Sequence, residues 1–295
     1  MTFALISLNS LKYTRAKVIE VNIRIFYDLC PKYKHTLKEY SKKRILVKKK
    51  EQSETEPAGD GLIRLNKYIS NSGVCSRRDA DKIISEGLVT INGKVVTELG
   101  HKVSLDDDVQ LDGKKLNPER KVYLLLNKPR GFVTTLDDPH AERTVMQLVK
   151  NACKERIYPV GRLDMQTTGV LLFTNDGELA KKLTHPSYEK KKIYHVQLDN
   201  DFLPEDLDKI EKGIELEDGF IKADDISLID PNDLRQVGIE IHSGKNHIVR
   251  RIFNHLGYQV ERLDRVMFAG LTKKDLPRGR HRFLTLQEIN FLKMS

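Results

Sequence analysis

Gly161 to Ala180 reads GRLDMQTTGVLLFTNDGELA, and the remainder of the chain is best understood from it outward. Gly161-Arg162-Leu163-Asp164 is short, polar and glycine-led, which predicts a loop. Val170-Leu171-Leu172-Phe173 is a brief apolar run between turn signals and predicts a strand buried on both faces. Asn175-Asp176-Gly177 reads as a turn, with Asp176 placed to cap a helix that starts near Glu178. Asp164 thus stands on a loop that feeds a central strand, and Thr167 and Thr168 can brace that loop through their hydroxyls. An isolated Asp in a loop most often just closes a turn. A lone carboxylate held this way otherwise suits attack or proton transfer at one carbon better than metal binding.

The 295 residues suffice for two domains with cores of their own. The net charge of +9 points toward a polyanionic partner, but its distribution weakens that argument. Residues 1–60 hold thirteen Lys/Arg and seven Asp/Glu, so they carry +6 and leave only +3 for the rest. Local clusters of charge must decide. Cys30, Cys75 and Cys153 have no short spacing, and their odd number speaks against a disulfide framework, as expected of a reduced, cytoplasmic protein. None of the Cys and His residues falls into a C-x-x-C or H-x-x-x-H set, so no metal is expected. No apolar run approaches membrane-spanning length.

Residues 1–60 read as a basic, disordered extension with no secretory signal, although Val21, Ile23 and Ile25 alternate as a lone strand would. Its run Lys42-Lys43-Arg44 and Lys48-Lys49-Lys50 is a solvated tail or a loose tether to RNA phosphates; an organelle-targeting peptide is the weaker third reading, since Arg15, Lys17 and Arg24 are few and Glu20 interrupts them. Order begins at Leu62. Leu65, Tyr68 and Ile69 have helical spacing ended by Gly73, and Ser76 caps a second helix with Asp79 three residues on. Val89-Thr90-Ile91 and Val95-Val96 flank Asn92-Gly93, a strong hairpin signal. Arg64, Lys67, Arg77, Arg78 and Lys82 cluster on the two helices, away from Asp106-Asp107-Asp108, which is the one-sided basic face that phosphate contact requires. Residues 62–108 form this unit, 109–121 read as a linker, and 122–295 form a larger domain.

In the larger domain, Val122 to Leu126 is an apolar strand that leads into Asn127-Lys128-Pro129-Arg130-Gly131, where Lys128 and Arg130 can reach an RNA backbone. Asp137-Asp138-Pro139-His140 has the composition of a mobile loop. Tyr194 and Val196 share one face of a strand by period-2 alternation, with Tyr188 in the preceding H-P-S-Y element as its competitor. Leu203 to Ile210 reads as an acidic helix, Val237 to Ile241 as a strand, and Ser243 to His247 as a turn into a helix ended by Gly257. Leu286 to Leu292 is a final packing helix.

Read as a whole, residues 161–180 resemble the catalytic signature of the RsuA/RluB family of ribosomal RNA pseudouridine synthases: G-R-L-D, then Thr-Ser-Gly, an apolar strand and T-N-D-G. Thr168 stands where Ser is usual and keeps the hydroxyl. Residues 62–108 are similar to the S4 RNA-binding domain, Asn127 to Gly131 to the family's N-K-P-x-G motif, and Gly244 to Ile252 to G-[RK]-x-H-Q-[VI]-R-R-M with Ile248 in place of Gln. The resemblance implies an α+β fold, in which a small S4-type helix-helix-hairpin domain precedes a catalytic domain on a mixed, largely antiparallel sheet. It implies Asp164 as the reacting carboxylate, Tyr194 as the base-stacking ring and Arg250 as the cation paired with Asp164. Leu263 and Arg162 would line the substrate pocket, and Arg251 and Arg265 would contact RNA. The implied activity is isomerisation of uridine in ribosomal RNA, of the large subunit rather than the small, by a monomer that needs no cofactor and meets free or pre-ribosomal RNA. The rivals are a catalytically inert S4-type assembly factor and a nucleoside hydrolase, although hydrolases of that kind generally use two carboxylates.

Overall fold

The computed structural model describes residues 61–136 and 141–295. The expected N-terminal tail, with its alternating Val21, Ile23 and Ile25, and the Asp137–His140 loop lie outside them.

The small domain opens with β1 (Ile63–Arg64), α1 (Leu65–Asn71) and α2 (Arg77–Ser85). Ser76 caps α2 as its spacing predicts, since its Oγ accepts from the Asp79 amide and donates to the Asp79 carboxylate. Strands β2 (Val89–Ile91) and β3 (Lys94–Val95) form the expected hairpin, and β4 (Lys102–Val103) pairs with β1. Asn92 and Gly93 both take positive φ, as the tight turn between two right-twisted strands demands. The sheet extends further than the sequence reading had it. β5 (Val109–Leu111) pairs with β2, and β6 (Lys114–Lys115) pairs with β5, so residues assigned to the linker complete the sheet. Leu65, Tyr68, Ile69, Ala80, Ile84, Val89, Val103, Val109 and Leu116 make the core, and the Tyr68 hydroxyl donates to the Leu116 carbonyl.

The large domain contains β7 (Tyr123–Lys128), α3 (Val145–Val149), β8 (Tyr158–Pro159), β9 (Thr167–Thr174), α4 (Gly177–Thr184), β10 (Lys192–Leu198) and α5 (Pro204–Lys212). There follow β11 (Ile214–Leu216), β12 (Gly219–Ile221), β13 (Asp225–Asp230), β14 (Asp233–Ile241), α6 (Ile248–His255), β15 (Val260–Phe268), β16 (Leu271–Thr272), β17 (His281–Phe283) and α7 (Leu286–Met294). The main sheet runs in the order β13-β14-β10-β15-β9-β7-β17, and all its pairs are antiparallel except β9 with β15. That is the mixed, largely antiparallel sheet expected. Burial on both faces explains why the middles of β7 and β9 are continuous apolar runs. Leu124, Leu126, Leu171 and Phe173 face a core closed by α3, α5 and α6, whereas Tyr123, Leu125, Val170 and Leu172 face a second core closed by α4 and α7.

The parallel pair β9–β15 brings the stretch 161–180 to the middle of the sheet, with Leu263 opposite Thr167 and Arg265 opposite Gly169. Gly169 is required there. It has φ +110, and a Cβ on it would collide with the backbone N and O of Arg265 and with Asp264 Oδ1. The Gly169→Ala variant is therefore expected to lose about 3 kcal/mol or more of stability, read as a lowered denaturant midpoint. A loss under about 1 kcal/mol would show that β9 and β15 can part without cost.

Candidate active site

Asp164 precedes β9, on a loop held from three sides. Thr134 Oγ1 donates to the Leu163 carbonyl at 2.6 Å, and the Gly131 amide donates to the Met165 carbonyl at 2.8 Å. From the end of β7, Lys128 Nζ donates to the carbonyls of Asp164 (3.0 Å), Thr167 (2.9 Å), Met165 (3.3 Å) and Pro129 (3.2 Å). Lys128 is fully buried, so the expectation that it touches an RNA backbone is corrected. Converging carbonyls turn its ammonium inward, where it gathers the loop as a bound cation would. Burial pulls its pKa down to about 8, opposed by the charge of Asp164 and assisted by Arg278.

The Asp164 side chain is half-buried. His247 Nδ1 lies 3.1 Å from its Oδ2, and Thr167 Oγ1 lies 3.4 Å away. Arg250 was expected to pair with it directly. Instead Arg250 Nη1 donates to the Val260 carbonyl at 2.8 Å, and no Arg250 ion pair with Asp164 forms. The two still interact through space: burial lowers the Arg250 guanidinium from its ordinary value, Asp164 opposes this, and Arg130 adds to it. The direct neighbour is His247, the residue before α6, in the left-handed region at φ 49. The signal was present in the G-[RK]-x-H motif, but nothing in spacing says which side chain of that turn reaches a loop more than 80 positions earlier. Thr168 braces the opposite side by donating to Asp264 Oδ1 at 3.0 Å.

Tyr194 and Leu263 are both buried, on the adjacent strands β10 and β15. Val196 pairs with Leu263 and Tyr194 with Arg265, so the ring and the leucine share a face near β9, the strand that follows Asp164. Tyr188 is exposed on a 3₁₀ turn and belongs to neither core. Arg162 and Arg130 are exposed around the loop, and Arg130 is hydrogen-bonded to Gln166.

A further expectation of RNA contact fails at Arg265, while Arg251 is held at the surface by acidic neighbours. Arg265 is 3% exposed and donates through Nε to the Val170 carbonyl at 2.9 Å. Arg251 is bound to both oxygens of Asp218 and to Glu217, which hold its proton more tightly than usual. Arg265 points into the protein because an acceptor waits there, a fact invisible in a run of basic residues. Across the sheet, burial alone would raise the Asp264 carboxyl, but Lys273 and Arg278 hold it well below the usual carboxylate range. On the small domain Arg64, Arg77, Arg78 and Lys82 are exposed, with Lys82 3.7 Å from Asp79, while Lys67 is paired with Glu178 of α4 at 2.5 Å.

Among the described residues no helix is long and apolar enough to cross a membrane, and no group of three or more His, Cys, Asp or Glu could hold a metal ion. An RNA pseudouridylate synthase family model matches residues 122–255, and an S4 domain model matches residues 63–109. A ribosomal large subunit pseudouridine synthase B of Bacillus subtilis is 43% identical over 235 residues, covering 79% of this chain and 96% of that protein. An uncharacterized RNA pseudouridine synthase of Aquifex aeolicus is 41% identical over 232 residues, covering 77% of this chain and 92% of that protein. A solved structure described as a pseudouridylate synthase superposes with a TM-score of 0.57 at 30% identity, covering 78% of this chain and 99% of that one. With a buried strand that delivers one clamped carboxylate, and with matches over both domains, the chain belongs to the RNA pseudouridine synthase family and carries an S4 domain ahead of its catalytic domain.

Proposed function

We propose that this protein isomerises uridine to pseudouridine in ribosomal RNA of the large subunit, with Asp164 as the reacting group. The observation that carries this is the clamped loop, which holds one half-buried carboxylate beside the strands of Leu263 and Tyr194. The Bacillus subtilis relative, whose name specifies the large subunit, supports the choice of RNA.

The reaction breaks the C1′–N1 bond, turns the uracil, and forms a C1′–C5 bond. The C5 proton leaves and N1 gains one, so atoms and oxidation state balance without a co-substrate. A stacked base cannot turn in place and must be extruded, at a cost of a few kcal/mol. Stacking on the Tyr194 ring offsets roughly 1–3 kcal/mol of that, with Leu263 closing the pocket and Arg162 lining it. Ionised Asp164 then attacks C1′ or removes the C2′ proton, with Arg250 and His247 supporting its charge. Arg130 beside the loop and Arg64, Arg77, Arg78 and Lys82 on the small domain contact RNA phosphates, and Lys67 joins them when it leaves Glu178.

Incubation with 23S and 16S transcripts, followed by carbodiimide-dependent reverse-transcription stops, tests the reading. A stop at one uridine of 23S RNA is expected. A stop confined to 16S RNA transfers the activity to the small subunit, and no stop in either overturns the proposal. For the small domain, Arg77→Ala/Arg78→Ala is expected to weaken RNA binding, to flatten its salt dependence by about one per lost phosphate contact, and to spare turnover at saturating RNA. An unchanged salt slope would remove these arginines from the interface.

A further inference from the structure

Arg265 presents a problem that packing does not answer. It is a buried cation, and its neighbour Asp264 is spent on Lys273 and Arg278 across the sheet, so no carboxylate pairs with Arg265 among the described residues. Its Nε is satisfied by the Val170 carbonyl, and its guanidinium lies 4.7 Å from the centre of the Phe268 ring. Its Nη2, however, is buried without a hydrogen-bond partner. An ionised group sealed in this way is costly unless something else requires it.

That requirement is on the facing strand. Tyr194 pairs with Arg265 directly, next to the pair Val196–Leu263, so the guanidinium and the phenol lie on one sheet face. A register shift between Ile193 and Tyr194 leaves Val266 as the extra residue, and such bulges re-aim the side chains beside them. Burial pulls the guanidinium below its ordinary value, and the Tyr194 hydroxyl is the side-chain group that opposes this. A guanidinium has only donors. A bond from the orphaned Nη2 to Tyr194 therefore makes the phenol oxygen the acceptor and directs its own proton elsewhere.

We propose that Arg265 is a positioning residue for Tyr194: by donating to the phenol oxygen it fixes the ring beside Leu263 and turns the phenol O–H toward the flipped uracil as an oriented donor. This rests on the isomerase reading above and adds to it a polar role for a residue otherwise assigned only stacking.

The resting protein provides the first test, independent of turnover. In protein labelled with [13Cζ]tyrosine, the Tyr194 resonance, identified by its loss in Tyr194→Phe, is expected to move in Arg265→Lys. In protein labelled with [15Nε]arginine, the Arg265 resonance is expected to move in Tyr194→Phe, which keeps the ring and so keeps the fold if Arg265→Lys does not. The second test is a double-mutant cycle on single-turnover tritium release from a [5-³H]uridine-labelled 23S transcript. Arg265→Lys is expected to slow release about tenfold in the wild-type background but less than about twofold in Tyr194→Phe, with RNA affinity unchanged within about twofold. Equal losses in both backgrounds, or resonances that stay in place, would overturn the proposal. Failure of wild-type protein to release tritium would instead count against the isomerase reading, and the resonance tests would still judge Arg265.

Discussion

Asp164→Asn is expected to lower the single-turnover rate of uridine isomerisation by at least about 10⁴-fold, the scale on which removal of a reacting group acts. The amide fills the same space, and the backbone carbonyl of residue 164 still accepts from Lys128 Nζ, so the loop keeps its course. Only the ionised oxygen that faces His247 and Thr167 is lost. Unfolding midpoint and RNA affinity are therefore expected to stay close to wild type while chemistry stops. Tritium release from a [5-³H]uridine transcript reads the rate, and a binding assay on the same transcript reads the affinity. A variant that still turns over within about tenfold of wild type would mean that another group reacts with the ribose.

The second large effect is expected at Lys128, buried beneath the loop that carries Asp164. Lys128→Met removes the one donor that joins the carbonyls of Pro129, Asp164, Met165 and Thr167. Losing the lysine's hydrogen bonds to these carbonyls costs about 1–3 kcal/mol in stability. The greater loss is in catalysis, because a displacement of the reacting group by about 1 Å costs on the order of 100-fold in rate. Folded protein with intact RNA binding and a rate about 100-fold down is the expected result. A near-normal rate would mean that the Thr134 and Gly131 contacts hold the loop without help.

Lys128 also gives a pH signature with two opposite signs. Its folded pKa of about 8 lies below the value near 10.4 of an unfolded lysine. Between these values the unfolded chain binds the proton and the folded chain does not, so this group's contribution to stability rises with pH. Activity is expected to fall over the same window, as the loop loses its cation. Lys192, which donates to the carbonyls of His242 and Ser243, is likewise pulled down to about 8, by burial and then by Arg265. The profile of Lys192→Met separates the two: an alkaline limb that persists belongs to Lys128, and one that disappears assigns it to Lys192.

Local physics made several elements legible in the sequence alone. The caps at Ser76 and Asp176, the Asn92-Gly93 hairpin and the two-sided burial of Val170–Phe173 each depend on residues close in sequence, and each forms as predicted. The motif around Asp164 named the family for the same reason, since it is contiguous. What the sequence could not determine is the direction in which a charged side chain points. Lys128 and Arg265 read as surface cations because lysine and arginine normally are. They turn inward here because carbonyls from distant segments meet them: Asp164 and Thr167 on Lys128, Val170 on Arg265. The direct partner of Asp164 was decided the same way. His247 reaches it and Arg250 does not, because the left-handed turn before α6 aims the imidazole at the loop while Arg250 is held by the Val260 carbonyl. Burying a charge requires several partners at once, and only the folded chain brings them together.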